Sequence, residues 1–328
     1  MSIRIIKQGL FDTIQDLGRY GYQHLGINPG GAMDTAAVSV ANMLVGNETT
    51  EAVLEMHFPA STIFFEKAAV IALTGGDFTP CINNTTVPLN TTLVVAPSSI
   101  LSFGKYILGA RTYLSIQGGF SIEPWLNSYS TNTKAGAGGF HGRTLKKGDI
   151  LHCKAEQFAF ENLPALSFVQ TPVTVNTNEL YNTTNIIRCV AGKDFEMLTI
   201  ESHNAFVNTS FNLSMQSDRM GYRLQGNKLE CTDKTERISA AVTKGSIQLL
   251  PDGQLILLMA DHQTTGGYPV IAHAISADIP MLAQMQPGSS LQFQFVEIAT
   301  AEELYMRQQQ YLQQLEQQCS LQLTQFFS

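Results

Sequence analysis

Apolar residues along this chain come in short runs of roughly four to eight, broken by clusters of glycine, proline, asparagine and threonine. Such spacing predicts strands, and strands at these intervals build barrels or sandwiches. The clearest runs lie at 62–65, 70–73, 92–96, 113–116, 186–190, 246–250 and 255–260. Helices are expected to be few. One is predicted over 34–44, where Asp34 can cap the first turn and Ala37, Val38, Ala41 and Leu44 repeat at helical spacing. A second is predicted in the tail from Thr300, with Glu303 completing a capping box and Leu304, Tyr311, Leu312 and Leu315 forming an apolar stripe.

The 328 residues exceed what one core usually carries, so two domains are expected. Residues 156–184 hold two prolines, many Asn and Thr residues and little periodicity, and read as a linker. That leaves β-rich lobes at 1–155 and 185–298 and a helical tail at 299–328. Arg19-Tyr20-Gly21-Tyr22 followed by Gly26 recurs as Arg219-Met220-Gly221-Tyr222 followed by Gly226. The repeat favours two related lobes whose equivalent loops meet at a shared cleft.

The formal charge of −7, with no Lys/Arg-dense stripe, argues against a nucleic-acid partner. Charged residues are only 14% of the chain, and so weakly charged a surface is easily dehydrated, which favours contacts with other chains. Five cysteines in no metal-like spacing read as free thiols in a reducing compartment. The start lacks the pattern of a signal peptide and the apolar runs are too short to span a bilayer, so a cytoplasmic protein without a membrane partner is expected. There is no phosphate loop, nucleophile elbow, H-E-x-x-H or C-x-x-C, and the histidines show no ligand spacing, so no metal site is expected. No Met-Lys-Met stretch occurs either, so this chain is expected to carry no covalent biotin.

Four polar, glycine-rich segments carry the candidate chemistry: 13–22 continued by 30–34, 128–143, 217–224 and 261–269. The apolar run 255–260 leads straight into the last of these, so Gln263, Thr264 and Thr265 emerge from a rigid element. Gly266-Gly267, before Tyr268, admits close approach of a ligand. A tight turn that satisfies only itself would not need so many polar residues in a row. Of the histidines, only His262 gains weight from its loop. The sets Asp16/Arg19 and Asp218/Arg219/Arg223 either bind a carboxylate or phosphate through guanidinium forks or form internal ion pairs, and Gln15 is a further binding candidate beside the first set. Lys134 and Arg143 flank a glycine-rich loop that suits either phosphate or an ordinary hairpin.

Taken together these segments resemble the C-subunit family of 5-oxoprolinase, also called KipA-like or allophanate hydrolase subunit 2-like, which shares the carboxyltransferase domain of urea amidolyase. The resemblance runs over 3–295 and is most specific at 13–22, 217–224 and 245–269. It implies a mainly β fold of two related cyclophilin-like β-barrel lobes with few short helices and a C-terminal helix. It also implies action with the B and A subunits of 5-oxoprolinase, in which B and C phosphorylate the lactam oxygen of 5-oxoproline and A opens the ring to glutamate. ATP, with Mg, would be shared with a partner protein. Relatives act on urea or on the ureido ring of biotin, so the substrates share a planar N–C=O group. On this view Thr264, Thr265 and nearby N–H groups hold that group, Asp16 or Asp261 takes its proton, and the arginines balance anionic charge. Two other readings remain open: a carboxyltransferase component of a biotin-dependent carboxylase acting on urea or another amide, and a non-enzymatic binding protein that antagonises a KipI-like kinase inhibitor. The chain departs from the family pattern at Gly30-Gly31-Ala32-Met33-Asp34, where a serine is common first, and at Gly192-Lys193-Asp194, where Gly-Pro-Gln is common.

Overall fold

A computed structural model describes residues 1–154, 167–181, 184–233 and 238–327. The chain is mainly β and divides into two compact units. Unit 1 comprises Met1–Gly18, Asp34–Thr177 and Gln310–Ser328, and unit 2 comprises Arg19–Met33 and Asn178–Gln309.

Unit 1 holds two six-stranded sheets. One runs in the order Ile150–His152, Ser2–Lys7, Thr62–Phe65, Ile100–Phe103, Pro80–Ile82, Thr85–Thr86. The other runs Phe168–Thr174, Thr91–Val95, Ala69–Asp77, Leu108–Ile116, Val53–His57, Thr13–Gln15. Alternation along the strands sends Ile3, Ile5, Ile63 and Phe65 into one buried cluster with Ile14, Leu54, Ile71, Leu93 and Leu114. The opposite face of the second sheet carries polar side chains and is covered by helix α1, Thr35–Leu44. Thr74 donates to the Ala37 carbonyl at 2.8 Å and Ser115 to the Asn42 amide oxygen at 2.6 Å. Asp34 caps α1 as expected, accepting from the Ala37 N–H at 2.9 Å.

Unit 2 is a closed seven-stranded barrel: Ile186–Ala191, Val270–Ala274, Ser246–Leu249, Leu255–Leu258, Gly221–Gln225, Ser210–Leu213 and Ser290–Phe295. Closure comes from parallel pairing of the last strand with the first, which leaves the sheet no edge. Its interior is filled by Ile187, Phe211, Tyr222, Leu224, Ile247, Leu257 and Ile271. Phe206 and Phe293 stack there with centroids 4.7 Å apart. Phe206 comes from α2, Ile200–Asn208, whose first turn Thr199 caps. Helix α3, Ile279–Gln284, adds Ile279, Met281, Leu282 and Ala283 to the same core. Neither α2 nor α3 carries enough periodicity in so few residues to be seen in the sequence.

The tail forms α4, Ile298–Phe327, with Leu312, Leu315, Cys319 and Leu323 buried at helical spacing. It begins before Thr300, since the Ala301 N–H already bonds to the Glu297 carbonyl at 3.0 Å, so Thr300 and Glu303 lie inside the helix instead of capping it. Within the span 156–184, residues 156–166 and 182–183 lie outside the described residues. Phe168–Thr174 of that span is an edge strand, and Pro172 is tolerated there because the pairing shifts register between Gln170 and Thr174.

Both copies of the R-x-G-Y pattern belong to unit 2, and they are not conformational equivalents. Gly21 has φ +92° before a short 3-10 turn, whereas Gly221 opens a strand where an added Cβ would meet Ile256 at 2.9 Å. One copy needs glycine for its backbone angle and the other for space.

Candidate functional site

Strand Leu255–Leu258 is almost wholly buried and continues through Met259 and Ala260 into the 261–269 loop. The Asp261 N–H bonds to the Arg219 carbonyl at 2.8 Å, and the Asp261 carboxylate takes the Arg219 guanidinium with both oxygens, Nε at 2.9 Å and Nη2 at 3.1 Å. Arg219 Nη2 also donates to the Gly31 carbonyl at 2.6 Å. Lys244 adds a second cation on the same stretch, donating to Met33 O at 2.9 Å and Ala32 O at 3.3 Å. Arg19 is buried beside them, its Nη1 3.0 Å from where a Cβ on Gly30 would stand. The Arg219 pair therefore matches the internal ion-pair alternative, with Asp261 as partner in place of Asp218. Asp218 accepts from the Met220 and Gly221 N–H groups of its own turn at 2.8 and 3.2 Å.

Beyond Asp261, His262 is buried, and burial lowers its pKa, favouring the neutral ring. Its Nδ1 lies 2.6 Å from the Gln263 carbonyl. Thr265–Gly266 then pairs with Ala240–Ala241 as a two-stranded ribbon, and the Thr264 carbonyl accepts from the Val242 N–H at 3.1 Å. Gln248, on the barrel strand Ser246–Leu249, braces the loop from beneath. Its amide nitrogen donates to the Tyr268 carbonyl at 3.2 Å and its amide oxygen accepts from Gln263 at 3.4 Å.

Two adjoining cavities open at this loop. The larger, about 1050 Å³, is lined by Gln263, Thr265, Gly266, Gly267 and Tyr268 together with the hairpin around Pro251. The smaller, about 410 Å³, is lined by Arg223, Gln248, Ile256, Gln263 and Tyr268. Gln263 and Tyr268 border both. Thr265 lines the larger cavity and Thr264 lines neither. Asp261, Arg219 and Arg19 line neither cavity.

The candidates in unit 1 are arranged differently. Asp16 accepts four hydrogen bonds, from the Gly18 and Tyr129 N–H groups at 2.8 and 2.6 Å and from the Ser128 and Ser130 hydroxyls at 2.7 and 2.5 Å. It ties the first and second polar segments together. Gln15 is fully buried, donating to Thr13 at 3.0 Å and to the Thr131 carbonyl at 3.4 Å. Arg143 forks onto Asp149 at 2.7 and 2.9 Å, and each holds the other charged, the arginine raised in pKa and the aspartate lowered. Lys134 is exposed on the loop between Ser130 and Arg143. Among the described residues, no group of three or more His, Cys, Asp or Glu side chains is placed to hold a metal ion, and no helix is long and apolar enough to cross a membrane.

Sequence reasoning does not pick out Gln248 and Lys244 as candidates. The alternation Ser246-Ile247-Gln248-Leu249 does put Gln248 on the barrel's outer face, but nothing local says that a loop folds over it. Lys244 holds backbone carbonyls some two hundred residues away, a contact with no sequence signature.

The carboxyltransferase domain family, subdomain A and B, matches residues 25–295. The chain is 35% identical to the C subunit of 5-oxoprolinase from Haemophilus influenzae over 303 residues, covering 92% of this chain and 94% of that protein. It is 35% identical to the corresponding C subunit from Escherichia coli over 316 residues, 95% of this chain and 97% of that one. The crystal structure of K. lactis urea amidolyase superposes with a TM-score of 0.86 at 26% identity, over 96% of this chain but only 20% of that much longer protein. The chain belongs to the carboxyltransferase domain family that includes the C subunit of 5-oxoprolinase.

Proposed function

We propose that this chain is the C subunit of an ATP-dependent 5-oxoprolinase, taking the lactam at the 263–268 loop of unit 2. The observation that carries the reading is the convergence of two cavities on Gln263 and Tyr268, in a chain 35% identical to a 5-oxoprolinase C subunit along nearly its whole length. Gln263 and Thr265 supply donors and acceptors for a planar N–C=O group, Gly266-Gly267 lets backbone approach it, and the Tyr268 ring gives it a flat apolar wall.

In this proposal B and C together phosphorylate the lactam oxygen and A opens the ring. MgATP, shared with the partner protein, would supply the phosphoryl group for the phosphorylation step. Asp16 and Asp261 receive no base role here, since their oxygens are committed to loop donors and to Arg219.

The test is ADP formation by this chain assembled with its B-subunit partner, with and without 5-oxoproline. Stimulation by 5-oxoproline is expected, reduced about tenfold or more in Thr265→Val or Gln263→Leu and much less in Thr264→Val. Absence of stimulation from an assembled complex defeats the proposal. The TM-score of 0.86 to urea amidolyase favours a second reading, a carboxyltransferase component working with a biotinylated protein, and a requirement for such a protein in the assay would establish it.

A further inference from the structure

The register of the barrel aligns three side chains of different strands. Arg223 pairs with Ile256, and Ile256 pairs with Gln248. Tyr222 and Leu224 fill the interior, so alternation places Arg223, and the row it begins, on the outer face. Arg223 and Gln248 are then two strand spacings apart, roughly 10 Å between Cα atoms. This row floors the smaller cavity, with Gln263 and Tyr268 as its wall.

Among the described residues Arg223 differs from every other arginine. Arg4 faces Glu66, Arg143 Asp149, Arg188 Asp278, Arg219 Asp261 and Arg307 Glu179. Arg19 and Arg111 are buried and also engaged. Arg223 is exposed, and its hydrogen bonds are those of its backbone with Ser214 and Ser217. Asp252 lines the same cavity without pairing with it and accepts from the Gln254 N–H of its own hairpin at 3.0 Å. A guanidinium fork beside two carboxamides and a tyrosine ring offers a carboxylate partner at one end and amide partners at the other.

We infer that Arg223 is a specificity residue that selects planar amides bearing a carboxylate. The carboxylate docks on the Arg223 fork while Gln263, braced by Gln248, meets the N–C=O group. Neutral amides such as urea lack the first contact. This inference rests on the proposed lactam site and adds to it the residue that reads the carboxylate of the substrate.

The experiment compares 5-oxoproline with its neutral primary amide as stimulators of ADP formation in the assembled complex, for wild type, Arg223→Lys and Arg223→Gln. Wild type should favour the acid. Arg223→Gln should raise KM for 5-oxoproline about 10- to 100-fold, the loss expected for one charge-assisted contact, and leave KM for the neutral amide unchanged. Arg223→Lys should fall between, keeping the charge without the fork. Equal losses for both lactams, or a rise in KM for ATP alone, would overturn the inference, the latter pointing to a phosphoryl contact. If the wild-type complex shows no lactam-stimulated turnover, it is the enzymatic reading that fails. Calorimetric titration of this chain with the acid and the amide then still reads the residue: a preference for the acid that Arg223→Gln removes sustains it, and equal binding sinks it.

Discussion

The loops 128–143 of unit 1 and 261–269 of unit 2 look alike in composition, both rich in glycine and hydroxyls, but they spend their polar groups in opposite ways. In unit 1 the hydroxyls of Ser128 and Ser130 and the N–H of Tyr129 all turn onto Asp16, and Arg143 is consumed by Asp149. In unit 2 the loop is held from below by Gln248 and from the side by a two-residue ribbon, so that Gln263, Thr265 and Tyr268 border open cavities. The difference teaches that a polar loop keeps its side chains available only when something else holds its backbone. Unit 1 uses its polar groups as the fastening, whereas unit 2 is fastened by the barrel strand beneath.

The sharpest way to break this comparison is to remove the fastening in unit 1. Asp16→Ala leaves four donors without their acceptor, two of them on buried serines, and should cost about 3–5 kcal/mol of stability, read as a lower urea midpoint. A loss below about 1 kcal/mol would mean that the segments are held by something else.

A second probe is pH. Burial, partly offset by hydrogen bonds from the Ser61 and His57 N–H groups, raises the Asp12 pKa from 3.8 to about 6. The folded chain then binds a proton more readily than the unfolded chain. Its contribution is fully present below pH 3.8 and lost as pH rises through about 6. Relative to Asp12→Asn, wild type should therefore gain about 3 kcal/mol or less between pH 7 and pH 4, as measured by urea unfolding at each pH. Parallel curves for the two proteins would refute the assignment.

The smallest effect is expected at Arg143. Its pair with Asp149 is partly exposed, with side-chain exposures of 33% and 14%, so Arg143→Ala should cost about 1 kcal/mol, and less at high salt. A salt-independent cost of several kcal/mol would mark the pair as central to the loop.

What the sequence alone determined was the local part of this protein. Strand Thr62–Phe65 and the Asp34 cap of α1 follow from alternation and from side-chain chemistry acting within a few residues, and both were readable. So were the polar segments, because composition is local too. Tertiary structure decided which polar groups remain available. Arg143, Arg219 and Arg223 are indistinguishable as letters, and only packing brings Asp149 and Asp261 to two of them and leaves the third facing a cavity. It likewise decided that both R-x-G-Y copies belong to one unit, since the residues at 19–33 pack with the barrel that follows them by more than 150 positions. The physical reason is the same in each case: the desolvation that fixes a charge or a carbonyl partner is set by neighbours far away in sequence, and single-chain periodicity carries no record of them.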